Sequence, residues 1–124
     1  VGAQLTEHVC IQSNDKAYSF VANQTYQVVA RFRFRGTAIM GVPTAMLANF
    51  WSPPVPGGFV DCRIVDATNG NLVICMATTN GTNPAQFIDL GVLSNLPAAP
   101  ATFEVQIKTN GPGQCRIGAV AIEY

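Results

Sequence analysis

Short stretches of alternating apolar and polar residues, separated by clusters of Gly, Asn and Pro, restrict this chain to β-structure. The clearest runs from Thr25 to Phe34. Tyr26, Val28, Ala30, Phe32 and Phe34 fall on one side of it, and Gln27, Val29, Arg31 and Arg33 on the other. Side chains alternate along a strand with period two, so the first set is expected to face a core. Thr102–Lys108 repeats the pattern with Phe103, Val105 and Ile107 inward, and Gln114–Tyr124 forms a third strand that is apolar towards its end. Phe59–Asp66 and Asn71–Thr78 flank Ala67-Thr68-Asn69-Gly70. Asn-Gly between two such runs signals a hairpin, because both residues accept positive φ. Weaker strands are expected at Gln4–Ile11, Ala17–Val21, Thr37–Val42, within Thr44–Phe50 and around Gln86–Leu90. No helical period is sustained, and Thr44–Asn49 has room for one helical turn at most. The pattern predicts an all-β, antiparallel, jelly-roll-like β-sandwich of eight to ten strands.

The chain has 124 residues, which predicts one β-sandwich domain over residues 1–124. Seven basic side chains balance seven acidic ones, and charged residues make up only 11% of the chain. Nucleic-acid binding is not expected, since it requires a basic excess able to displace counterions. Membrane insertion is not expected either. The most apolar stretch, Ala38 to Trp51, is interrupted by Gly41, Pro43, Thr44 and Asn49 and is shorter than the roughly 20 residues of a spanning helix. The chain opens on Val1, with no basic segment leading into an apolar run, as a processed product or an excised domain would.

Cys10, Cys62, Cys75 and Cys115 allow three disulfide pairings. A four-residue hairpin loop sets Cys62 directly opposite Cys75, within bridging range after slight adjustment. Cys10 and Cys115 then pair across the first and last long strands, which are neighbours in many jelly rolls. The other reading is four reduced cysteines packed as small hydrophobes, as in a protein assembled in the cytoplasm. No CxxC spacing suggests zinc, and neither a metal nor a cofactor is expected.

Catalysis is not expected. His8 is the only histidine, and the acids lie on separate strands with nothing to make them converge. Two groups remain as binding candidates. Arg31, Arg33 and Arg35 share one side of a strand, about 7 Å apart. Such a row needs carboxylates from Asp61, Glu104 or Glu123, or else an anionic ligand such as an acidic sugar held by guanidinium forks. Asn49-Phe50-Trp51 leads into the proline-rich run beginning at Ser52, where exposed rings would stack on a pyranose. The competing role for Trp51 is a core plug or an anchor at a subunit contact. Asn23-Gln24-Thr25 and Asn80-Gly81-Thr82 are N-glycosylation sequons, relevant only to a protein secreted from a eukaryote.

The segment Ala22-Asn23-Gln24-Thr25-Tyr26-Gln27-Val28 followed by Ala30-Arg31-Phe32-Arg33 resembles the start of the core in galactose-binding-like jelly rolls. These occur in carbohydrate-binding modules and at phage tail-fibre tips. Phe103-Glu104-Val105-Gln106-Ile107 and Cys115-Arg116-Ile117-Gly118-Ala119-Val120-Ala121-Ile122 are similar to the last two strands of that family. The resemblance implies a non-catalytic module that binds a glycan or a cell-surface receptor, such as the attachment domain of a viral or phage fibre. Many members hold a structural calcium through an Asp in the final strand; Gly118 and Ala119 stand there instead, so calcium is not carried over. The alternative is a structural, self-assembling subunit of a virion or surface assembly with no sugar affinity. Either role places the protein outside cells or on a virion surface.

Self-association is expected on separate grounds. In the hairpin, Val60, Cys62 and Ile64 share a face with Val73, Cys75 and Ala77, which leaves Phe59, Val65, Leu72, Ile74 and Met76 on the other. Only one face of a sheet can meet the opposing sheet. The apolar remainder, in a chain so poor in charge, predicts a homo-oligomer, with a closed cyclic trimer favoured.

Overall fold

The computed structural model describes residues 5–11, 18–52, 58–111 and 113–124. Nine strands and one helical turn lie among them: β1 (Thr6–Cys10), β2 (Ser19–Val21), β3 (Gln27–Phe34), α1 (Thr37–Met40), β4 (Ala45–Trp51), β5 (Val60–Asp66), β6 (Leu72–Thr79), β7 (Ile88–Asp89), β8 (Ala101–Thr109) and β9 (Cys115–Glu123). Most of the expected proline-rich loop, at 53–57, lies outside the described residues.

The strands form two antiparallel sheets. One has the order β1-β9-β4-β7, with β2 pairing on β9 beside β1; the other has the order β3-β8-β5-β6. Apart from β1–β2 and the β5–β6 hairpin, each strand is followed by one in the opposite sheet. The chain therefore winds back and forth around a single layer of side chains, in the strand order of a jelly roll. Phe103 sits near the centre of that layer. Its ring stacks on Phe34 at 4.6 Å between centroids and meets Phe32 edge-on at 5.7 Å. Met46, Phe50, Ile64, Leu90, Ile107 and Ile117 complete a fully buried core. Each such side chain contributes about 1.5–3 kcal/mol through burial.

Three irregularities in register redirect side chains that strict alternation places elsewhere. In β3 the pairing with β8 slips between Val28 and Ala30. Ala30, Phe32 and Phe34 point inward as expected, but Val28 is exposed and Tyr26 lies on the outer face against Arg63. In the hairpin the slip comes between Ile64 and Val65, so Ile64 opposes Cys75 and Cys62 opposes Ala77. The expected Cys62–Cys75 register is therefore shifted, and Ile74 joins the core instead of the outer face. Val65 is buried too, which leaves only Phe59, Leu72 and Met76 of the expected patch exposed. In β9 the slip falls at Gly118, between the partners of Asn49 and Phe50. An extra residue on one strand reverses the alternation beyond it. Here it lets Ile117 and Val120 both face inward.

Thr37–Met40 is helical rather than the expected strand, whereas the strand expected within Thr44–Phe50 is present as Ala45–Trp51. Gly36 and Gly41, at φ 94° and 85°, bracket the turn with conformations closed to most residues. The amides of Thr37 and Ala38 donate to Pro97 O and Ala98 O, tying α1 to the loop before β8. The free edge of β6 is similarly occupied: Ser94 N donates to Ile74 O, and Asn95 Nδ2 to Val73 O. Covering a strand edge in this way blocks unwanted strand pairing.

Candidate functional site

All four cysteines are free thiols. Cys10 pairs with Ala119, four positions along β9 from Cys115, so the two backbones lie about 13 Å apart along that strand. A disulfide needs less than about 7 Å, so the expected Cys10–Cys115 bridge has no geometry here. Burial raises the Cys62 thiol, and pushes those of Cys75 and Cys115 up to about 12. Cys115 Sγ donates to Val21 O. Among the described residues, no group of three or more His, Cys, Asp or Glu is placed to hold a metal ion.

Asn49, Phe50 and Trp51 do not form an exposed aromatic shelf. Phe50 is 1% exposed and belongs to the core. Trp51, at 7%, packs edge-on against Tyr18 at 5.5 Å, and the Arg116 guanidinium lies over that tyrosine. Asn49, at 9%, donates through Nδ2 to Pro84 O and to Gln86 O, pinning the loop before β7 onto the outer face of β4. Alternation along β4 turns Phe50 inward, while its neighbours Asn49 and Trp51 are covered from outside. The expected sugar-stacking surface is therefore occupied by the protein itself.

The arginine row lies on the outer face of β3, as expected, but only Arg31 is paired. Arg31 Nε donates to Glu104 Oε2 at 2.8 Å across the β3–β8 ladder. That hydrogen bond is the main reason the Glu104 carboxyl lies below its ordinary pKa. Gln106 Nε2 donates to the other Glu104 oxygen, and Arg63 Nε donates to Gln106 Oε1 at 2.7 Å. The Arg63 guanidinium stacks over Tyr26 at 3.8 Å, and Lys108 Nζ approaches the same ring at 4.9 Å. Lys108 also lies 3.7 Å from Asp61, whose carboxylate accepts from Thr78 and Asn110. Burial, then the charge of Asp61, raises the Tyr26 hydroxyl pKa. These contacts form a polar network across the outer face from β3 to β6. The Tyr26–Arg63 contact was not legible in the sequence, because it depends on the slip at Val28.

Arg33 and Arg35 stand outside that network. Together with Glu7 and Ile39 they line a cavity of about 490 Å³ beside β1, the end of β3 and α1. A second hollow of about 240 Å³ lies on the outer face of the other sheet, between Thr6, His8, Leu47, Phe87, Ala121 and Glu123. His8 is exposed on the rim of this second hollow. The sequon residues Asn23 and Asn80 are exposed as well.

No protein-family model matches the sequence, and no curated protein matches it. Solved structures do share the fold. VP2 of the infectious bursal disease virus subviral particle superposes with a TM-score of 0.52 at 12% identity, over 97% of this chain and 32% of that one. The Gx strain of the same virus gives 0.52 at 10% identity, over 98% and 32%. A glycosylation-associated protein complex from Streptococcus agalactiae gives 0.50 at 10% identity, over 99% and 26%. The chain thus spans about a third or less of the length of these structures. At such identities the likeness establishes a shared β-sandwich fold, seen in a viral particle protein and in a bacterial complex. A link to galactose-binding-like or tail-fibre domains is not among these findings.

Proposed function

We propose that this chain is a non-catalytic structural subunit that self-assembles on a virion or a comparable surface, as a closed cyclic oligomer such as a trimer. The observation that carries this reading is the contrast between the two outer faces. The outer face of β3-β8-β5-β6 is mainly a hydrogen-bonded polar network, with Val28 and Met76 exposed on it. The face of β1-β9-β4 carries Leu47, Ala119, Ala121 and the exposed ring of Phe87, with Thr6 and His8 at its rim. Small residues leave an apolar hollow there beside Phe87, and such a surface is what a second copy can cover. The shared fold with a viral particle protein supports the same reading. Glycan or receptor binding is the second reading, and the buried rings of Phe50 and Trp51 give it no stacking surface. Sedimentation velocity of the purified chain at micromolar concentration tests the proposal. A species larger than the 13.2 kDa protomer is expected, and sedimentation at 13.2 kDa overturns it.

A further inference from the structure

We propose that the cavity lined by Glu7, Arg33, Arg35 and Ile39 binds a small carboxylate that also carries hydroxyl groups, that is, a sugar acid. The proposal is independent of whether the chain assembles.

The first ground is charge. Among the described residues the carboxylates are largely committed elsewhere: Glu104 to Arg31, Asp61 to Lys108, Asp66 to the amides of its own turn, and Asp89 to the amide of Gly91. Arg33 and Arg35 have no ion-pair partner among those residues, although Glu7 lines the same cavity. Two guanidinium groups and one carboxylate leave a surplus of a single positive charge. A monoanion neutralises that surplus, whereas a phosphate near charge −2 would set its second charge against Glu7. The arginines sit one residue apart at the end of β3, so their forks reach the same space from a backbone spacing of about 7 Å. Planar forks of this kind match a carboxylate in bidentate fashion.

The second ground is the polar and apolar lining beside the arginines. The Tyr124 hydroxyl is buried and stands outside that lining. It lies beside Glu7 and within electrostatic reach of Arg35. Burial, and then the charge of Glu7, pushes it up to about 12, so it remains a neutral donor. That donor is directed at Glu7 and steadies its carboxylate. Glu7 accepts from a ligand hydroxyl, and the exposed side chain of Ile39 offers apolar contact to ring carbons. The volume of about 490 Å³ lies within the usual range for small-molecule sites, roughly 300–1,000 Å³.

Titration calorimetry and amide-shift mapping with methyl glucuronoside, methyl glucoside, acetate and inorganic phosphate test this assignment. The glucuronoside is expected to bind with a dissociation constant on the order of 1 mM, as befits a ligand of few atoms. The neutral glucoside and acetate should bind roughly tenfold or more weakly, each lacking half of the recognition. Arg33→Ala and Arg35→Ala should each reduce glucuronoside affinity by a similar factor with an unchanged melting temperature. Arg31→Ala should have no effect, because Arg31 is engaged with Glu104. Phosphate or acetate binding as tightly as the glucuronoside would reveal a simple anion site and overturn the proposal. Absence of saturable binding would do the same, as would an equal loss in Arg31→Ala.

Discussion

Phe103 joins three aromatic rings at the centre of the core. It is fully buried, stacked on Phe34 and edge-on to Phe32, in a strand paired on both sides. Aromatic pairs add about 0.5–1.5 kcal/mol beyond burial, and the two flanking strands cannot close the gap a truncation leaves. Phe103→Ala should therefore cost about 3–5 kcal/mol in urea unfolding. A loss below about 1 kcal/mol would mean that the two sheets do not meet at this ring. The thiols give a second test at this scale. Cys10 is exposed and the other three are buried, so one thiol should react with a disulfide reagent in the native protein. All four should react once the unreduced protein is denatured. The raised folded pKa values of Cys75 and Cys115 have a definite sign. Their stabilising effect is complete below the ordinary thiol pKa of about 8.5, and it is lost as pH rises from there towards 12. Replacing Cys75 by Ala should flatten the alkaline limb of the stability curve, measured by denaturant unfolding at pH 7 to 10.

At the scale of elements, the turn between β5 and β6 depends on a single carboxylate. Asp66 is fully buried and accepts from the amides of Thr68 and Asn69 and from Asn69 Nδ2. The Asn71 amide donates to its carbonyl. Hydrogen bonds to a charged group contribute about 1.5–3 kcal/mol each, less what water recovers in a loop. Asp66→Ala should thus destabilise by roughly 2–4 kcal/mol and speed amide exchange at Thr68 and Asn69. An unaltered exchange rate at both amides would remove Asp66 from this role. Gly70 and Asn71, both at positive φ, complete the turn that Asn-Gly signalled in the sequence. Several strands were legible for related reasons: β3, β5 and β8 alternate over enough residues to show the period, and β6 and β9 are apolar runs bounded by turn residues. The slips at Val28, Ile64 and Gly118 were not legible. A bulge adds one residue without any compositional mark, and every side chain beyond it changes face. For that reason Tyr26 and Val28 were expected in the core and Ile74 outside it. The candidate site suffered from a similar blindness. The arginine row is plain in the sequence, but its pairing depends on which strand lies alongside, and β8 brings Glu104 to Arg31 alone. The exposure of Trp51 depended on what covers β4 from outside, which no local pattern records.

Across the whole molecule most large apolar side chains lie in a closed core and others remain exposed, and two substitutions distinguish the two settings. The alternation of the hairpin placed Ile74 on its outer face. In the structure Ile74 is fully buried between the sheets, whereas Phe87 is exposed at the edge of the hollow on β1-β9-β4. Lysine at position 74 would place an unpaired ammonium in the core, at a cost of several kcal/mol. A fold of this size has about 5–15 kcal/mol in total, so Ile74→Lys should abolish or severely weaken folding, seen as loss of the cooperative melting transition. Glutamate at position 87 meets solvent in the free protomer and should leave the melting temperature of a dilute sample nearly unchanged. On an assembly face, the same charge is desolvated opposite an apolar partner surface and next to Glu123. Phe87→Glu should then convert the oligomer to a folded 13.2 kDa protomer in sedimentation velocity. An oligomer that persists in Phe87→Glu would move the contact to another surface, with the exposed Ile39, Val42 and Met76 the next to be changed.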